Sequence, residues 1–195
     1  WTQERVSFEG QYYKTEKATI YDRPDTPVPI YVAAAGALVA RYAGRSAEGF
    51  ICTSGKKPEL YTETLLPKVA EGIAASEDPS RSYDRMIEVK VSFDTDKARA
   101  LEDTLHWAAL ALTPEEKLTV EDPVEMQRLA DALPLERAAS RWIVSSDADE
   151  HVERIGYYVG LGFRNLVFHA PGPDQERFLK LYGEHVLPRL RKRFG

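Results

Sequence analysis

Four short apolar runs, each leading into a helical repeat of apolar positions, set the organisation of the chain. Ile30-Tyr31-Val32-Ala33 is followed by Gly36 and then by Leu38, Val39, Tyr42 and Ala43, the pattern of a strand, a turn and the apolar side of a helix. Phe50-Ile51-Cys52 repeats the theme. It runs through Thr53-Ser54-Gly55 into a helix opened by Pro58, with Leu65, Val69 and Ile73 on one face; proline is favoured in a first helical turn. The third run, Met86 to Phe93, alternates apolar Ile87, Val89 and Val91 with Glu88 and Lys90. Leu166-Val167-Phe168-His169 is the fourth, and one helix from about Asp174 to Arg193 is expected after it. That helix ends in Arg189, Arg191, Lys192 and Arg193, charges that suit the negative end of a helix dipole.

Between the third and fourth runs the pattern is mostly helical. Segments are predicted over Lys97 to about Trp107, from Thr113-Pro114-Glu115-Glu116, over Pro123 to Ala132 and over Pro134 to Ser140. Thr113 and Glu116 have the spacing of a capping box, with proline at the first helical position. A strand-like Trp142-Ile143-Val144 follows, and Asp147 with Glu150 has a comparable cap spacing before Val152, Ile155, Tyr158 and Val159, stopped by Gly160 and Gly162. Residues 1–29 are aromatic and punctuated by Pro24, Pro27 and Pro29, which reads as a peripheral loop or hairpin. Strand and helix in alternation imply parallel pairing with right-handed crossovers. Four strands make half of a (β/α)8 barrel, whose usual length is about 250 residues, and equally a small open sheet covered by helices. Spacing alone leaves both open.

Composition narrows the functional classes. A chain of 195 residues with 43% hydrophobic side chains has enough apolar surface for one core, so residues 1–195 are read as one domain. Twenty-six basic against thirty-one acidic residues leave a net charge of -5, which argues against a nucleic-acid groove and makes any anion site local. The lone Cys52 excludes an intramolecular disulfide, and no run reaches the roughly 18 apolar residues of a membrane span. A reducing compartment is expected. Trp1-Thr2-Gln3-Glu4-Arg5 lacks the basic and apolar regions of a signal peptide. It lacks an initiator methionine as well, and the chain is expected to be a fragment.

In either parallel architecture the chemistry belongs at the carboxyl ends of the strands. After the first strand, Ala33-Ala34-Ala35-Gly36-Ala37 lets a ligand approach the backbone at a helix start; the structural alternative is plain helix-to-sheet packing. After the second, Cys52-Thr53-Ser54-Gly55-Lys56-Lys57 gathers hydroxyls, a glycine and two ammonium groups into a candidate anion loop, against a solvated turn as the alternative. It is not a Walker A sequence. Lys117 just past the capping box and Arg141 before an apolar run are further candidates, since a guanidinium grips phosphate oxygens in pairs; exposed ion pairs are their alternative. His106, His151, His169 and His185 have no metal-binding spacing, so no metal is expected. His169, at a strand end, reads first as a packed or hydrogen-bonded histidine. No Gly-x-Ser-x-Gly elbow occurs.

Taken together, these segments resemble the F420-dependent glucose-6-phosphate dehydrogenases of the luciferase-like superfamily. The likeness rests on Ile30 to Gly36 with Val39-Ala40-Arg41-Tyr42-Ala43-Gly44-Arg45, and on Gly49 through Lys56. It continues through Leu112-Thr113, Lys117, Asp122-Pro123, Ala130 to Pro134, Arg141 to Val144 and Leu166 to Gly172. What the resemblance implies is an α/β fold: the C-terminal half (strands five to eight) of a TIM-type (β/α)8 barrel, with a helical insertion over residues 97–140. The implied reaction is oxidation of glucose 6-phosphate to 6-phosphogluconolactone, with hydride passing to coenzyme F420. By position, Thr53, Lys56, Lys117 and Arg141 are the implied sugar-phosphate ligands, and Ala35, Gly36, Leu38 and Val39 the implied cofactor contacts. The family often has Gly-Gly-Pro where this chain has Ala35-Gly36-Ala37.

The family's catalytic histidine and glutamate, and a tryptophan near the ring, belong to the N-terminal half. No catalytic residue is therefore expected in this chain, and His106, Trp107 and Glu115 are not assigned those roles. Half a barrel exposes two strand edges, so a homodimer or a complex with the missing half is expected, in the cytoplasm, with no nucleic acid or membrane as partner. Two other readings remain: a non-catalytic phosphosugar-binding or self-associating fragment, and an F420-dependent oxidoreductase for another alcohol.

Overall fold

The computed structural model describes residues 3–195. Trp1 and Thr2, part of the run read for a targeting signal, lie outside the described residues. Two compact units divide the chain, the first up to Ile30 and the second Tyr31–Gly195. In the first, β1 (Val6–Glu9) pairs antiparallel with β2 (Lys14–Ala18), with a register shift between Val6 and Phe8. The Gly10 amide donates to the Tyr13 carbonyl at 2.9 Å and closes the turn. A hairpin is thus the form taken by residues read as loop or hairpin.

The second unit is built on a five-stranded parallel sheet. β3 (Tyr31–Ala33) leads through α1 (Ala37–Ser46) to β4 (Gly49–Thr53), and α2 (Leu66–Ala74) leads to β5 (Asp84–Phe93). β5 is the hub: Asp84 to Glu88 pair with β4, and Met86 to Lys90 pair with β7 (Asn165–His169). α7 (Ala148–Gly160) precedes β7, and α8 (Gln175–His185) and α9 (Leu187–Phe194) follow it. Between β5 and α7 lie α3 (Lys97–Glu102), α4 (Pro114–Leu118), α5 (Pro123–Asp131) and α6 (Leu135–Ala139). This helical insertion returns to the sheet through β6 (Ile143–Ser145), which pairs with Val91 to Phe93 at the far end of β5. The architecture is α/β and that of a half barrel, as the family resemblance implied.

Alternation decides which side of the sheet is covered. Phe50, Ile87, Val89 and Val91 are fully buried under the helices with Leu65, Val69, Ile155, Phe163 and Val186. Successive residues of a strand point to opposite faces, so Tyr31, Thr53, Glu88, Lys90 and His169 lie on the other face, the inside of the barrel curve. Arg81 ties the carboxyl end of α1 down by donating to the carbonyls of Gly44 and Ala47, the latter at 3.0 Å.

Three helices depart from expectation. The helix opened at Pro58 contains a π-helical segment, Leu60–Leu65, before α2. The helix from Lys97 ends at Glu102 and continues as a 3-10 segment, Asp103–Ala111, kinked at Trp107 (φ -125°, ψ 27°). The expected single final helix is two, α8 and α9, broken at Val186. Pro188 lies in the first turn of α9; without an amide hydrogen it cannot continue the hydrogen bonding of α8.

Candidate functional site

The turn after β4 is fixed by its neighbours. Gly55 has φ +70°, a conformation L side chains avoid, and a Cβ there would run into the backbone of Arg141. Glycine therefore satisfies both the turn and a close approach between two distant loops. Around it, the Gly55 amide donates to the Tyr158 hydroxyl and the Lys56 amide to the Tyr61 hydroxyl, each at 3.3 Å. The fully buried Tyr61 donates in turn to the Thr53 carbonyl at 2.8 Å. Ser54 is spent on the frame: its hydroxyl accepts from the Lys90 amide at 2.8 Å. Thr53, the last residue of β4, faces the inside of the barrel curve, and Lys56 follows it in the turn.

This packing draws the cations together. The Lys56 ammonium is pushed below its usual pKa, first by partial burial and then by the charges of Arg141, Lys117 and Lys90. Such repulsion is what a bound anion relieves. Arg141 donates from one terminal nitrogen to the Leu110 carbonyl at 3.0 Å, and its Nε is buried with no hydrogen-bond partner among the described residues. Lys117 lies on α4 behind the expected capping box: Thr113 accepts from the Glu116 amide at 3.2 Å, and Glu116 accepts from the Thr113 amide at 2.7 Å. The Lys117 amide is already bonded to the Thr113 carbonyl, so Lys117 contributes its ammonium alone. The Arg141 backbone thus packs against Gly55, next to Lys56, and Lys117 lies near enough for its charge to bear on the Lys56 ammonium, although no two of the three cations share a helix or strand.

Two charged residues of β5 join the site that motif reading passed over. Lys90, 4% exposed, donates to the Thr53 hydroxyl and, at 3.1 Å, to the Glu88 carboxylate. The other Glu88 oxygen lies 2.6 Å from His169 Nδ1. Burial raises the Glu88 pKa, but bonds from Thr53, His169 and Lys90 outweigh it and hold the carboxyl below its usual range. His169 is hydrogen-bonded as expected and stands edge-on to both Trp107 and Trp142, at 4.7 and 5.1 Å between ring centres. The signal was the strand pattern: Glu88 and Lys90 alternate with core residues, so they had to face a common interior.

The second group of candidates clusters at the start of α1. Gly36 caps the helix without a side-chain bond, and a Cβ there would meet nothing within 4 Å. Leu38 is 85% exposed and Val39 45%. Ala35 is also exposed. The start of α1 is thus uncapped by any side chain and open at Gly36, a geometry in which backbone amides are accessible. Cys52 is buried, and burial pushes its thiol up to about 12, with only partial relief from Lys90. Among the described residues no group of three or more histidine, cysteine or acidic side chains is placed to hold a metal, and no helix is long and apolar enough to cross a membrane.

A parallel sheet with helices packed against it over half the length of a barrel places the chain in the class of β/α-barrel folds. Within that class the chain is a member of the luciferase-like monooxygenase family, whose profile matches residues 1–165. It is 64% identical over 195 residues to an F420-dependent glucose-6-phosphate dehydrogenase of Nakamurella multipartita, covering 100% of this chain and 58% of that protein. It is 65% identical over 193 residues to the enzyme of the same name from Beutenbergia cavernae, covering 99% and 57%. The structure also resembles an F420-dependent secondary alcohol dehydrogenase solved with an F420-acetone adduct: TM-score 0.80 at 26% identity, covering 97% of this chain and 57% of that one. The chain therefore spans a little under three-fifths of the length of the proteins it matches.

Proposed function

We propose that this chain supplies the sugar-phosphate site and part of the cofactor site of an F420-dependent glucose-6-phosphate dehydrogenase. The observation that carries the reading is the convergence of Lys56, Lys117 and Arg141, in a chain 64% identical to a relative of that name. Two ammonium groups and a guanidinium fork suit a phosphate carrying about -1.5 to -2 charges at neutral pH. Thr53 adds a hydroxyl to the same site. Ala35, Gly36, Leu38 and Val39 would hold the cofactor, with the uncapped start of α1 suited to a phosphate-bearing tail. Coenzyme F420, when bound, accepts the hydride removed from the sugar carbon. The residues of this chain bind and orient: phosphate held remotely aligns the reacting carbon, and its binding energy lowers the barrier there.

The catalytic acid and base are assigned to a segment outside this chain, so the chain alone is inactive. On its own it self-associates or pairs with that segment, because β3 and β7 each have a single hydrogen-bonded neighbour strand and unpaired edges seek partners. A reducing cytoplasmic compartment suits the free, buried Cys52. A dehydrogenase acting on an unphosphorylated alcohol would leave three cations without a counter-charge, which favours the phosphosugar. Calorimetric titration tests this. Glucose 6-phosphate should bind at least about tenfold tighter than glucose, and Lys56→Gln or Arg141→Gln should each weaken it about tenfold, near 1.4 kcal/mol. Equal affinity for the two sugars would overturn the reading. F420 reduction by the unassisted chain would overturn its inactivity.

A further inference from the structure

We propose that His169 forms a sugar-hydroxyl subsite: Glu88 fixes its imidazole with the proton on Nδ1, so that Nε2 offers a lone pair to a hydroxyl of the bound sugar. The inference rests on the phosphosugar reading and adds to it a residue on β7 that recognises the sugar rather than its phosphate.

The tautomer follows from Lys90. Its side chain is 4% exposed, and its ion pair is with Glu88, at 3.1 Å. A buried ammonium is tolerated only beside a counter-charge, so Glu88 is ionised, and a carboxylate only accepts hydrogen bonds. The second Glu88 oxygen lies 2.6 Å from His169 Nδ1, and that nitrogen is therefore the donor. In a neutral imidazole one nitrogen carries the proton and the other accepts, which leaves Nε2 as the acceptor. Nε2 has no hydrogen-bond partner among the described residues, and it is not one of the buried polar atoms left unpaired there. With 23% of the side chain exposed, it is open to a ligand. Trp107 and Trp142, both edge-on to the ring, limit its turning. Trp142 follows Arg141 in the chain, and Trp107 belongs to the segment whose Leu110 carbonyl accepts from Arg141 at 3.0 Å. The imidazole thus touches the residue next to a phosphate-binding cation. Phosphate near neutral pH is almost wholly an acceptor and has no proton for the Nε2 lone pair, whereas every sugar hydroxyl has one.

Long-range proton–nitrogen NMR of the chain with labelled histidines reads the tautomer directly, with His169 assigned by its contacts to the two indoles. At about pH 8, where imidazoles are ordinarily neutral, Nδ1 should carry the proton and Nε2 should carry none. Glucose 6-phosphate should shift the Nε2 resonance, and inorganic phosphate should leave it in place. His169→Asn gives a second readout, since an amide nitrogen near the Nδ1 position keeps the bond to Glu88 while nothing replaces Nε2. By calorimetric titration this variant should bind glucose 6-phosphate about fivefold more weakly, the worth of one hydrogen bond, and inorganic phosphate less than about twofold more weakly. A proton on Nε2 overturns the proposal, as does an Nε2 resonance that glucose 6-phosphate does not move, or equal weakening of both ligands in a folded His169→Asn chain. If that variant does not fold, the spectra of the unaltered chain decide alone. A chain that binds glucose 6-phosphate no tighter than glucose, or whose phosphate affinity ignores Lys56→Gln and Arg141→Gln, overturns the phosphosugar reading itself, and the subsite with it.

Discussion

His151 should make the protein acid-sensitive well above the range in which carboxylates titrate. It is fully buried on α7, with the rings of Phe93 and Tyr182 edge-on at 5.3 and 5.7 Å. Burial drives its pKa from 6.5 down to about 4, with only partial compensation from the Ser145 carbonyl. The imidazole is therefore neutral in the folded state at pH values where the unfolded chain already carries the proton. Stability is undiminished above 6.5 and falls as pH drops through the window to about 4, where the folded state also begins to protonate. The slope is about 1.4 kcal/mol per pH unit for one proton, which sums to about 3 kcal/mol across the window. That is a large fraction of the roughly 5–15 kcal/mol that holds a domain folded. Urea unfolding followed by circular dichroism at pH values between about 7 and 4 measures it, with His151→Leu as the comparison. The variant changes the absolute stability, but its pH slope should be shallower by one proton. Parallel loss of stability in the two proteins would refute the reasoning, because it would mean that the folded protein protonates His151 freely.

Three further outcomes follow from packing and charge. A Cβ on Gly72 would stand 2.9 Å from the Arg45 amide nitrogen and closer still to the Arg41 carbonyl oxygen; Gly72→Ala should force α1 and α2 apart at a cost of about 2–3 kcal/mol, or roughly 5–10 °C in Tm. At Gly183 a Cβ meets nothing within 4 Å, so Gly183→Ala in α8 should instead stabilise by about 0.5–1 kcal/mol, and equal Tm shifts for the two variants would refute the contact. Asp94, 3% exposed, accepts from Arg177 at 2.6 and 2.8 Å, a bond that is the main cause holding its carboxyl down at about 2. Its contribution is present above the unfolded value near 4 and lost as pH falls through about 2, so Asp94→Asn should cost about 2 kcal/mol at neutral pH, a difference that unfolding titrations should find shrinking below pH about 4.

Much of this protein is legible along the chain because the determining interactions are short. The runs at Ile30, Phe50, Met86 and Leu166 show their strands by apolar content, and the Thr113 to Glu116 capping box forms as its spacing requires. Pro58, Gly160 and Gly162 punctuate helices through backbone constraints that act within one turn. The candidate anion loop at Cys52 to Lys57 could be singled out as well, since its residue types are adjacent. Tertiary structure decided the rest. That Lys56 meets Arg141 depends on Gly55 packing against the Arg141 backbone, and that Lys90 reaches Thr53 depends on the register of β5 against β4. His169 finds Glu88 only because β7 pairs beside β5. The break at Val186 and the entry of β6 at the end of β5 likewise appear only when the helices dock on the sheet. Periodicity and caps act over three or four residues, whereas a site assembled across strands is set by register and crossover, which no local pattern encodes.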